Sequence, residues 1–198
     1  MFDAMSRTST KQRKTQETDI DLSLNLNGTR KIDLDMDIPF FPHLLKSMVF
    51  HAGWDLRVRA LGDLEVDAHH TVEDVGIVLG QALREALDSG PAYRRFASCF
   101  IPMDEALAQA VVDVSGRAYL IYDAPHLPER VGCFPTELAE EFLRSLTSNA
   151  RITLHAKIWW GKSAHHLLEA LFKATGRALG EACRTSDEEV ASTKGTLS

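Results

Sequence analysis

Cysteine is rare in this chain, acidic residues outnumber basic ones by 28 to 22, and there are no long apolar runs. The three cysteines among 198 residues form no Cys-x-x-Cys pair, which argues against a disulfide framework or a zinc knuckle. The net charge of −6 is atypical of a protein that binds nucleic acid. No apolar run approaches the about 20 residues of a membrane span, and the N-terminus lacks the apolar core of a secretory signal. These absences predict a cytoplasmic protein with no nucleic-acid or membrane partner.

One six-residue pattern occurs twice. Ala-His-His-x-x-Glu stands at residues 68–73 and recurs 96 residues later, at residues 164–169. The residues that follow also match, because Gly, Ala, Leu, Glu and Ala recur in register between residues 80–87 and residues 176–183. Upstream, the same offset aligns two apolar alternations, Leu56, Val58 and Ala60 with Ile152, Leu154 and Ala156. The chain is therefore predicted to contain two copies of one strand-to-helix unit.

Each copy of this pattern is suited to binding a metal ion. Residues three and four apart share one face of a helix, so a single turn can present two imidazoles and a carboxylate. One copy alone could equally consist of surface or capping residues, but two copies in register favour metal ligation. Imidazole and carboxylate without thiolate favour Mn, Fe, Co, Ni or Zn.

The other segments are predicted from periodicity and turn residues. Residues 1–14 lack apolar periodicity and are predicted to form a flexible N-terminal arm. The turn at Asn27-Gly28 predicts that a strand beginning at Thr18 is followed by a returning strand at residues 31–36. Further predicted strands cover residues 55–60, 64–66, 96–102, 108–114, 119–122 and 151–158. Predicted helices begin near Pro42, His69, Thr136 and Ala164.

This order of elements predicts the fold class and the domain organisation. A repeated strand-strand-helix-strand-helix unit implies an α+β fold with helices packed on one face of each sheet. The two repeat halves are predicted to span residues 15–92 and 93–184 of one integrated domain. A polar tail, residues 185–198, follows them.

Further motifs give the chain a specific resemblance. They are Arg13-x-Thr15-x-Glu17-Thr18, Ile38-Pro39-Phe40, Gly62-Asp63-Leu64, Pro102-Met103-Asp104-Glu105-Ala106, Ser115-Gly116-Arg117, Thr153-Leu154-His155, Phe172-Lys173 and Ser192-Thr193-Lys194-Gly195. With the two His-His-x-x-Glu units, they make residues 13–197 resemble the imidazoleglycerol-phosphate dehydratases of histidine biosynthesis. The resemblance implies a duplicated half-domain with pseudo-twofold symmetry, in which two mixed four-stranded sheets pack helices between them, as in ribosomal protein S5 domain 2.

The resemblance also implies an activity, a cofactor and an assembly. The expected enzyme is a Mn²⁺-dependent lyase that removes water from imidazole glycerol phosphate and yields imidazole acetol phosphate, through a metal-bound imidazolate and a diazafulvene. Two Mn²⁺ ions per subunit are expected, with active sites at subunit interfaces of a twenty-four-subunit shell. The implied metal ligands are His43, His69, His70, Glu73, His165, His166 and Glu169. An eighth ligand of the family, a histidine, falls at Glu141.

The same resemblance assigns the proton-transfer and phosphate-binding residues. Glu17 and Glu169 are the implied acid–base pair, and Glu17 also contacts substrate. The implied phosphate-binding residues are Arg95, Arg117, Lys173, Ser192, Thr193 and Lys194. The polar tail that carries the last three is expected to close over the substrate.

Several positions depart from the family pattern and leave two other functions open. The residues that could orient the metal ligands by hydrogen bonds are replaced at three places, Met36-Asp37, Pro42 and Ser163. The chain could therefore be a metal-binding assembly protein of the same fold with weakened catalysis. A third alternative is another two-metal enzyme, such as a hydrolase that acts on a small phosphate ester.

Overall fold

Two four-stranded sheets are formed by the strongly alternating segments of the chain. The structure is a computed structural model that describes residues 7–125, 127–186 and 192. The first sheet contains β1 (Thr8–Lys14), β2 (Thr18–Asn25), β3 (Ile32–Asp35) and β4 (Asp55–Gly62), in the spatial order β1-β2-β4-β3. The second contains β5 (Phe96–Met103), β6 (Ala106–Asp113), β7 (Tyr119–Asp123) and β10 (Thr153–Trp160), in the order β5-β6-β10-β7. A short hairpin, β8 (Arg130–Val131) and β9 (Phe134–Pro135), follows β7.

The two sheets have the same mixed topology. In each, three strands pair antiparallel and the strand at one edge pairs parallel to its neighbour, β3 with β4 and β7 with β10. The predicted fold class is therefore confirmed: an α+β fold of two mixed four-stranded sheets with four helices.

Four helices complete the fold of the described residues. They are α1 (Phe41–Ala52), α2 (His69–Asp88), α3 (Glu137–Ala150) and α4 (Ala164–Ala182). The long helix α2 packs on the first sheet and against α3, whereas α4 packs on the second sheet and against α1. Each long helix thus contacts the short helix of the other half. Buried side chains from both sheets and all four helices form one hydrophobic core.

The register of the two sheets corrects the predicted alignment of the halves. Ile20 of β2 lies opposite Ala60 of β4, and at the equivalent place Ala108 of β6 lies opposite Ile158 of β10. Ala60 and Ile158 are 98 residues apart, whereas His69 and His165 are 96 apart. The predicted alignment of the two halves, which matched Ala60 with Ala156, was therefore wrong by two residues at this strand. The connection from strand to helix is two residues shorter in the second half.

The flexible N-terminal arm was also wrong for the residues that the structure describes. Thr8–Lys14 is the edge strand β1, paired along its length with β2. An edge strand is held by backbone hydrogen bonds to one neighbour, so it forms without an apolar alternation of its own. Residues 1–6 lie outside the described part of the chain. The other domain boundaries remain predictions.

Two smaller strand predictions were wrong for local reasons. β3 does not return along β2, because Asp55 Oδ1 accepts the N–H groups of Thr29 and Lys31 and directs the chain to the far side of β4. Residues 64–66 form no strand, because Val66 N–H donates to Asp63 O across 2.8 Å and closes a turn. In the described part of the chain, no helix is both long enough and apolar enough to span a membrane.

Candidate metal centre

Two glycines of α4 set the position of the candidate site. A Cβ added at Gly176 would lie 1.9 Å from Met48 O, and one added at Gly180 would lie 2.3 Å from Ala52 O. Only glycine therefore allows the backbones of α1 and α4 to approach this closely. The close approach brings His43, in the first turn of α1, beside the first turns of α4.

Three side chains converge where these helices begin. Glu169 Oε2 lies 2.8 Å from His43 Nε2 and 3.1 Å from His165 Nε2. One ligand atom from each of the three residues falls within 4.8 Å of the others, and among the described residues no other metal-ligand cluster forms. Both histidines are exposed and Glu169 is buried. The cluster thus has a buried carboxylate and two imidazoles open to the surface.

Glu169 is held in its ionised form. Burial alone would raise the pKa of its carboxyl, but hydrogen bonds from Lys173 and His43 outweigh burial and lower the pKa to about 2. Lys173 Nζ lies 2.6 Å from Glu169 Oε1, so the two carboxylate oxygens have different partners. An ionised carboxylate beside two imidazoles is a suitable ligand set for a divalent transition metal.

Phe40 covers one side of this cluster. Its ring centroid lies 5.7 Å from that of His43 and 4.8 Å from that of His165. The backbone of Phe40 has a φ of 72°, in the left-handed region that a bulky residue rarely adopts. The turn before α1 therefore holds an aromatic ring against both imidazoles at the cost of backbone strain.

Glu141 is the structural counterpart of His43. In α2, a Cβ at Gly80 would lie 2.6 Å from Leu146 O of α3, which matches the approach of Gly176 to Met48. Leu146 and Met48 are therefore equivalent, and five residues before them stand Glu141 and His43. Within the described residues, His69, Glu73 and Glu141 are not brought into a second cluster.

The second histidine of each pair is oriented by a carboxylate. His70 Nδ1 lies 3.0 Å from Asp63 Oδ2, and His166 Nδ1 lies 2.8 Å from Glu105 Oε2. A carboxylate accepts but does not donate, so each Nδ1 carries the proton and each Nε2 keeps a lone pair that could bind a metal ion. The hydrogen bond to Asp63 raises the pKa of His70, and the bond to Glu105 raises that of His166.

Glu17 lies in the turn between β1 and β2, next to the first histidine pair. Its Oε1 is 3.9 Å from His70 Nε2, and its carbonyl oxygen accepts the N–H of Asp63 across 3.0 Å. The structure therefore brings Glu17 to His70, but it does not place Glu17 in the cluster with Glu169.

The candidate phosphate-binding residues lie in separate places within one chain. Arg95 donates to Asp113 across 2.8 Å, and Arg117 lies 3.7 Å from the same carboxylate. Lys173 is instead bonded to Glu169. Ser192 is half-buried, whereas Thr193 and Lys194 lie outside the described residues, as does most of the tail.

Two departures from the family pattern fit the helices they begin. Ser163 is the N-cap of α4, and its hydroxyl accepts the N–H of His166 across 3.4 Å. Pro42 lies in the first turn of α1, where a missing N–H removes no helical hydrogen bond. Both residues therefore support the segments that carry the histidines.

Three contributions to the site were missed from the sequence. Asp63 and Glu105 orient the histidines, and the Phe40 ring packs against the cluster. Asp63 and Glu105 both lie in polar turns, whose composition alone signals only a change of chain direction. Both residues stand in the motifs that carry the family resemblance, and Asp63 is also near His70 in sequence, but neither sign assigns them a role.

The duplicated sheets and the His–Glu cluster define the class of protein as an α+β protein with a candidate metal centre between its two halves. Known proteins narrow this class. A family model described as imidazoleglycerol-phosphate dehydratase matches residues 36–179. The imidazoleglycerol-phosphate dehydratase of Symbiobacterium thermophilum is 54% identical over 187 residues, which cover 93% of this chain and 90% of that protein. The one from Acetivibrio thermocellus is 52% identical over 195 residues, which cover 98% and 100%.

Solved structures agree with these relatives. The imidazoleglycerol-phosphate dehydratase of Staphylococcus aureus superposes with a TM-score of 0.83 at 40% identity, covering 90% of this chain and 99% of that one. The enzyme from Pyrococcus furiosus also gives a TM-score of 0.83, at 37% identity, covering 94% and 100%. The chain belongs to the imidazoleglycerol-phosphate dehydratase family.

Proposed function

We propose that this protein catalyses the dehydration of imidazole glycerol phosphate to imidazole acetol phosphate in histidine biosynthesis. Membership of the family supports the reaction. The single structural observation that carries the proposal is the convergence of His43, His165 and Glu169 within 4.8 Å. A lone imidazole pair could pack on a surface, but a buried ionised carboxylate between two imidazoles has the composition of a ligand set.

Two Mn²⁺ ions per subunit are part of the proposal. His43, His165 and Glu169 would hold one, and the equivalent residues His69, Glu73 and Glu141 would hold the other. Bound Mn²⁺ supplies Lewis acidity to the two ring nitrogens of the substrate. The equivalence of the two ligand sets, each with residues from both halves, supports two ions per chain.

His70 and His166 would complete the ligand sets of neighbouring copies. Each has its Nδ1 bonded to a carboxylate and its Nε2 outside its own chain's cluster. We therefore propose that the sites are shared between subunits, in a shell of twenty-four copies. A cytoplasmic location is part of the same proposal.

Glu17 and Glu169 would carry the two proton transfers. The C2 proton of the substrate is not acidic and its C3 hydroxyl is a poor leaving group. One glutamate delivers a proton to the C3 hydroxyl, which leaves as water while the ring N–H proton is lost to solvent and a diazafulvene forms. The other glutamate then takes the C2 proton as a base, and the ring regains a proton. The enol that results becomes the ketone of the product. In the assembled protein, Glu17 and Glu169 would have to come from different subunits or move together.

The phosphate would be bound by cations from two parts of the chain. Arg95 and Arg117 converge on Asp113, and Lys173 lies at the metal cluster. Ser192, Thr193 and Lys194 would complete the phosphate site from the tail. Because the two groups are separate within one chain, the proposal again places the site between subunits.

A turnover assay tests the function directly. Purified protein with Mn²⁺ is added to imidazole glycerol phosphate, and the ketone product is measured together with metal content. Product formation that depends on Mn²⁺ is expected. No turnover at a full metal load would overturn the proposal and favour the assembly protein without catalysis.

A further inference from the structure

A buried polar cluster joins the β1–β2 hairpin to helix α2. Asp74 is 5% exposed, and its Oδ2 accepts a hydrogen bond from the hydroxyl of Thr18 across 2.5 Å. Its Oδ1 lies 2.7 Å from Arg13 Nε, a charge contact that lacks hydrogen-bond geometry. A buried carboxylate, a buried hydroxyl and an arginine thus meet at this contact. Apolar side chains would be enough for packing, and they would avoid the cost of burying polar groups.

The hydrogen bonds in this cluster have a fixed direction. The Asp74 carboxylate accepts only, so the Thr18 hydroxyl must donate to it and can then accept from the Thr15 hydroxyl, 3.2 Å away. The Thr15 oxygen in turn accepts the N–H groups of Glu17 and Thr18 across 3.0 and 2.9 Å. The chain of bonds therefore runs from the turn that carries Glu17 to Asp74.

Helix α2 links this chain of bonds to the histidine pair. His70 and Asp74 are four residues apart on α2 and so share one face. His70 lies 3.9 Å from the Glu17 carboxylate, while Asp74 fixes the backbone of the turn that carries it. One helix face thus contacts both the Glu17 carboxylate and the hydrogen-bonded turn that carries it.

The second half of the molecule shows that the fold does not require these polar residues. β2 and β6 have the same length and the same burial pattern, so Thr18 corresponds to Ala106. Arg13 lies opposite Ile20, and Ile101 lies opposite Ala108, so Arg13 corresponds to Ile101. Along α2 and α4, Asp74 corresponds to Ala170. The same place in the duplicated architecture is thus packed with isoleucine and two alanines.

We propose that Arg13, Thr18 and Asp74 are positioning residues that hold Glu17 for proton transfer. The inference rests on the proposed function, since it concerns the acid–base residue of that reaction. The duplication supplies the reason. The cluster is dispensable for packing in the second half, whose hairpin turn carries Glu105 bonded to His166, and it is present in the half whose turn carries the proposed acid–base residue Glu17.

A matched pair of substitutions at Thr18 tests the proposal. Thr18→Val keeps the shape but removes the hydroxyl, and is expected to lower kcat by about 10- to 100-fold with KM and Mn²⁺ content unchanged. Thr18→Ser keeps the hydroxyl and is expected to stay within about threefold of wild type, since the same bond to Asp74 can form. Thr10→Val, which removes an exposed hydroxyl bonded to Ser23, is the control. Equal losses in Thr18→Val and Thr18→Ser would overturn the proposal.

A double-mutant cycle with Glu17 separates positioning from general destabilisation. In a Glu17→Gln background, Thr18→Val is expected to cause no further loss of kcat, because its effect acts through Glu17. Additive losses would contradict the proposal. The triple variant R13I/T18A/D74A copies the packing of the second half, and is expected to fold, bind Mn²⁺ and have the kcat of Glu17→Gln.

Amide exchange distinguishes failure of this inference from failure of the proposed function. The Glu17 N–H donates to Thr15 Oγ1, so its hydrogen exchange in metal-free protein is expected to be at least about tenfold faster in Thr18→Val than in Thr18→Ser. Unchanged exchange would overturn the positioning inference even for an active enzyme. If wild type shows no turnover but the Glu17 N–H still exchanges faster in Thr18→Val than in Thr18→Ser, the positioning inference is retained and only the proposed reaction is rejected.

Discussion

Glu105 joins the start of α4 to the side chain of His166. Its Oε2 lies 2.8 Å from His166 Nδ1, and its Oε1 accepts the backbone N–H groups of Lys162 and Ser163 across 3.1 and 2.8 Å. The hydrogen bond from the Ser163 N–H has the largest effect, followed by the bonds from His166 and the Lys162 N–H, and together they lower the pKa of Glu105 to about 2. One carboxylate thus fixes the loop before the helix and the tautomer of the histidine.

Glu105→Gln is expected to lower the pKa of His166 in metal-free protein, because the amide no longer stabilises the imidazolium. Histidine NMR titration measures this shift, and Glu65→Gln in an exposed turn is the control. A His166 pKa equal in wild type and Glu105→Gln would contradict the expectation.

The same pair gives a pH dependence of stability whose sign follows from both shifts. Glu105 has a depressed pKa, so its contribution is present above pH 4.5 and is lost as the pH falls towards about 2. His166 has a raised pKa, so its contribution is present below pH 6.5 and is lost as the pH rises through the raised value. The difference in unfolding free energy between wild type and Glu105→Gln is expected to be largest between pH 4.5 and 6.5. Denaturant titrations from below pH 4.5 to above pH 6.5 measure this difference in unfolding free energy. A difference that does not change with pH would show that the Glu105–His166 interaction does not contribute to stability.

Glu141→Ala is expected to remove one of two bound Mn²⁺ ions per chain, because Glu141 takes the position that His43 has in the other half. Glu141→His is expected to keep both, since imidazole can replace carboxylate as a ligand. Elemental mass spectrometry after dialysis measures the number of Mn²⁺ ions per chain in the two variants. An equal metal content in Glu141→Ala and wild type would contradict the expectation. Glu140→Ala, one residue away and paired with Arg144, is the control and should keep both ions.

Lys173→Met is expected to raise the KM for the phosphorylated substrate and to tighten Mn²⁺ binding, by up to about tenfold, because a positive charge next to Glu169 is removed. Glu169→Gln is expected to weaken Mn²⁺ binding instead, because it removes the negative charge of the carboxylate. Isothermal titration with Mn²⁺ measures the affinity, and Lys46→Met on the exposed side of α1 is the control. Weaker Mn²⁺ binding in Lys173→Met would show that the lysine supports the ligand set.

Gly176→Ala is expected to destabilise the protein by about 1–3 kcal/mol, because the new Cβ would overlap Met48 O at 1.9 Å. Each kcal/mol corresponds to a Tm lower by about 2–4 °C for a chain of this size. Gly76→Ala meets Phe142 O at 2.8 Å and should cost less. Calorimetry of both variants ranks them, and an equal Tm would show that α1 can move away without cost.

The sequence predicted most of the fold because two periodicities dominate it. Alternation in β2 and the apolar stripe of α2 are both strong, and a repeat in register shows that each element occurs twice. β1 was missed because an edge strand of polar residues depends on its neighbour for its hydrogen bonds. The partner of β3 was wrong because the capping bonds of Asp55 decide it, and these join residues more than twenty positions apart.

The site was predictable in composition but not in arrangement. His165 and Glu169 belong to one motif, and spacing alone predicts that they share a helix face. His43, 126 residues from Glu169, joins them through a close helix contact that two glycines permit. The cluster of Arg13, Thr18 and Asp74 could not be recognised either, because its meaning depends on a comparison with Ile101, Ala106 and Ala170 in the folded halves.

The strained turn at Phe40 determines the side from which the cluster can be reached. The Phe40 ring stacks on His43 and contacts His165 at a tilt, so it occupies that side of the cluster and the remaining coordination positions of a bound ion would face away from Phe40. Glycine would relieve the backbone strain at a φ of 72° but would open this wall. The direction of approach to the metal centre is thus set by a residue that offers no ligand atom.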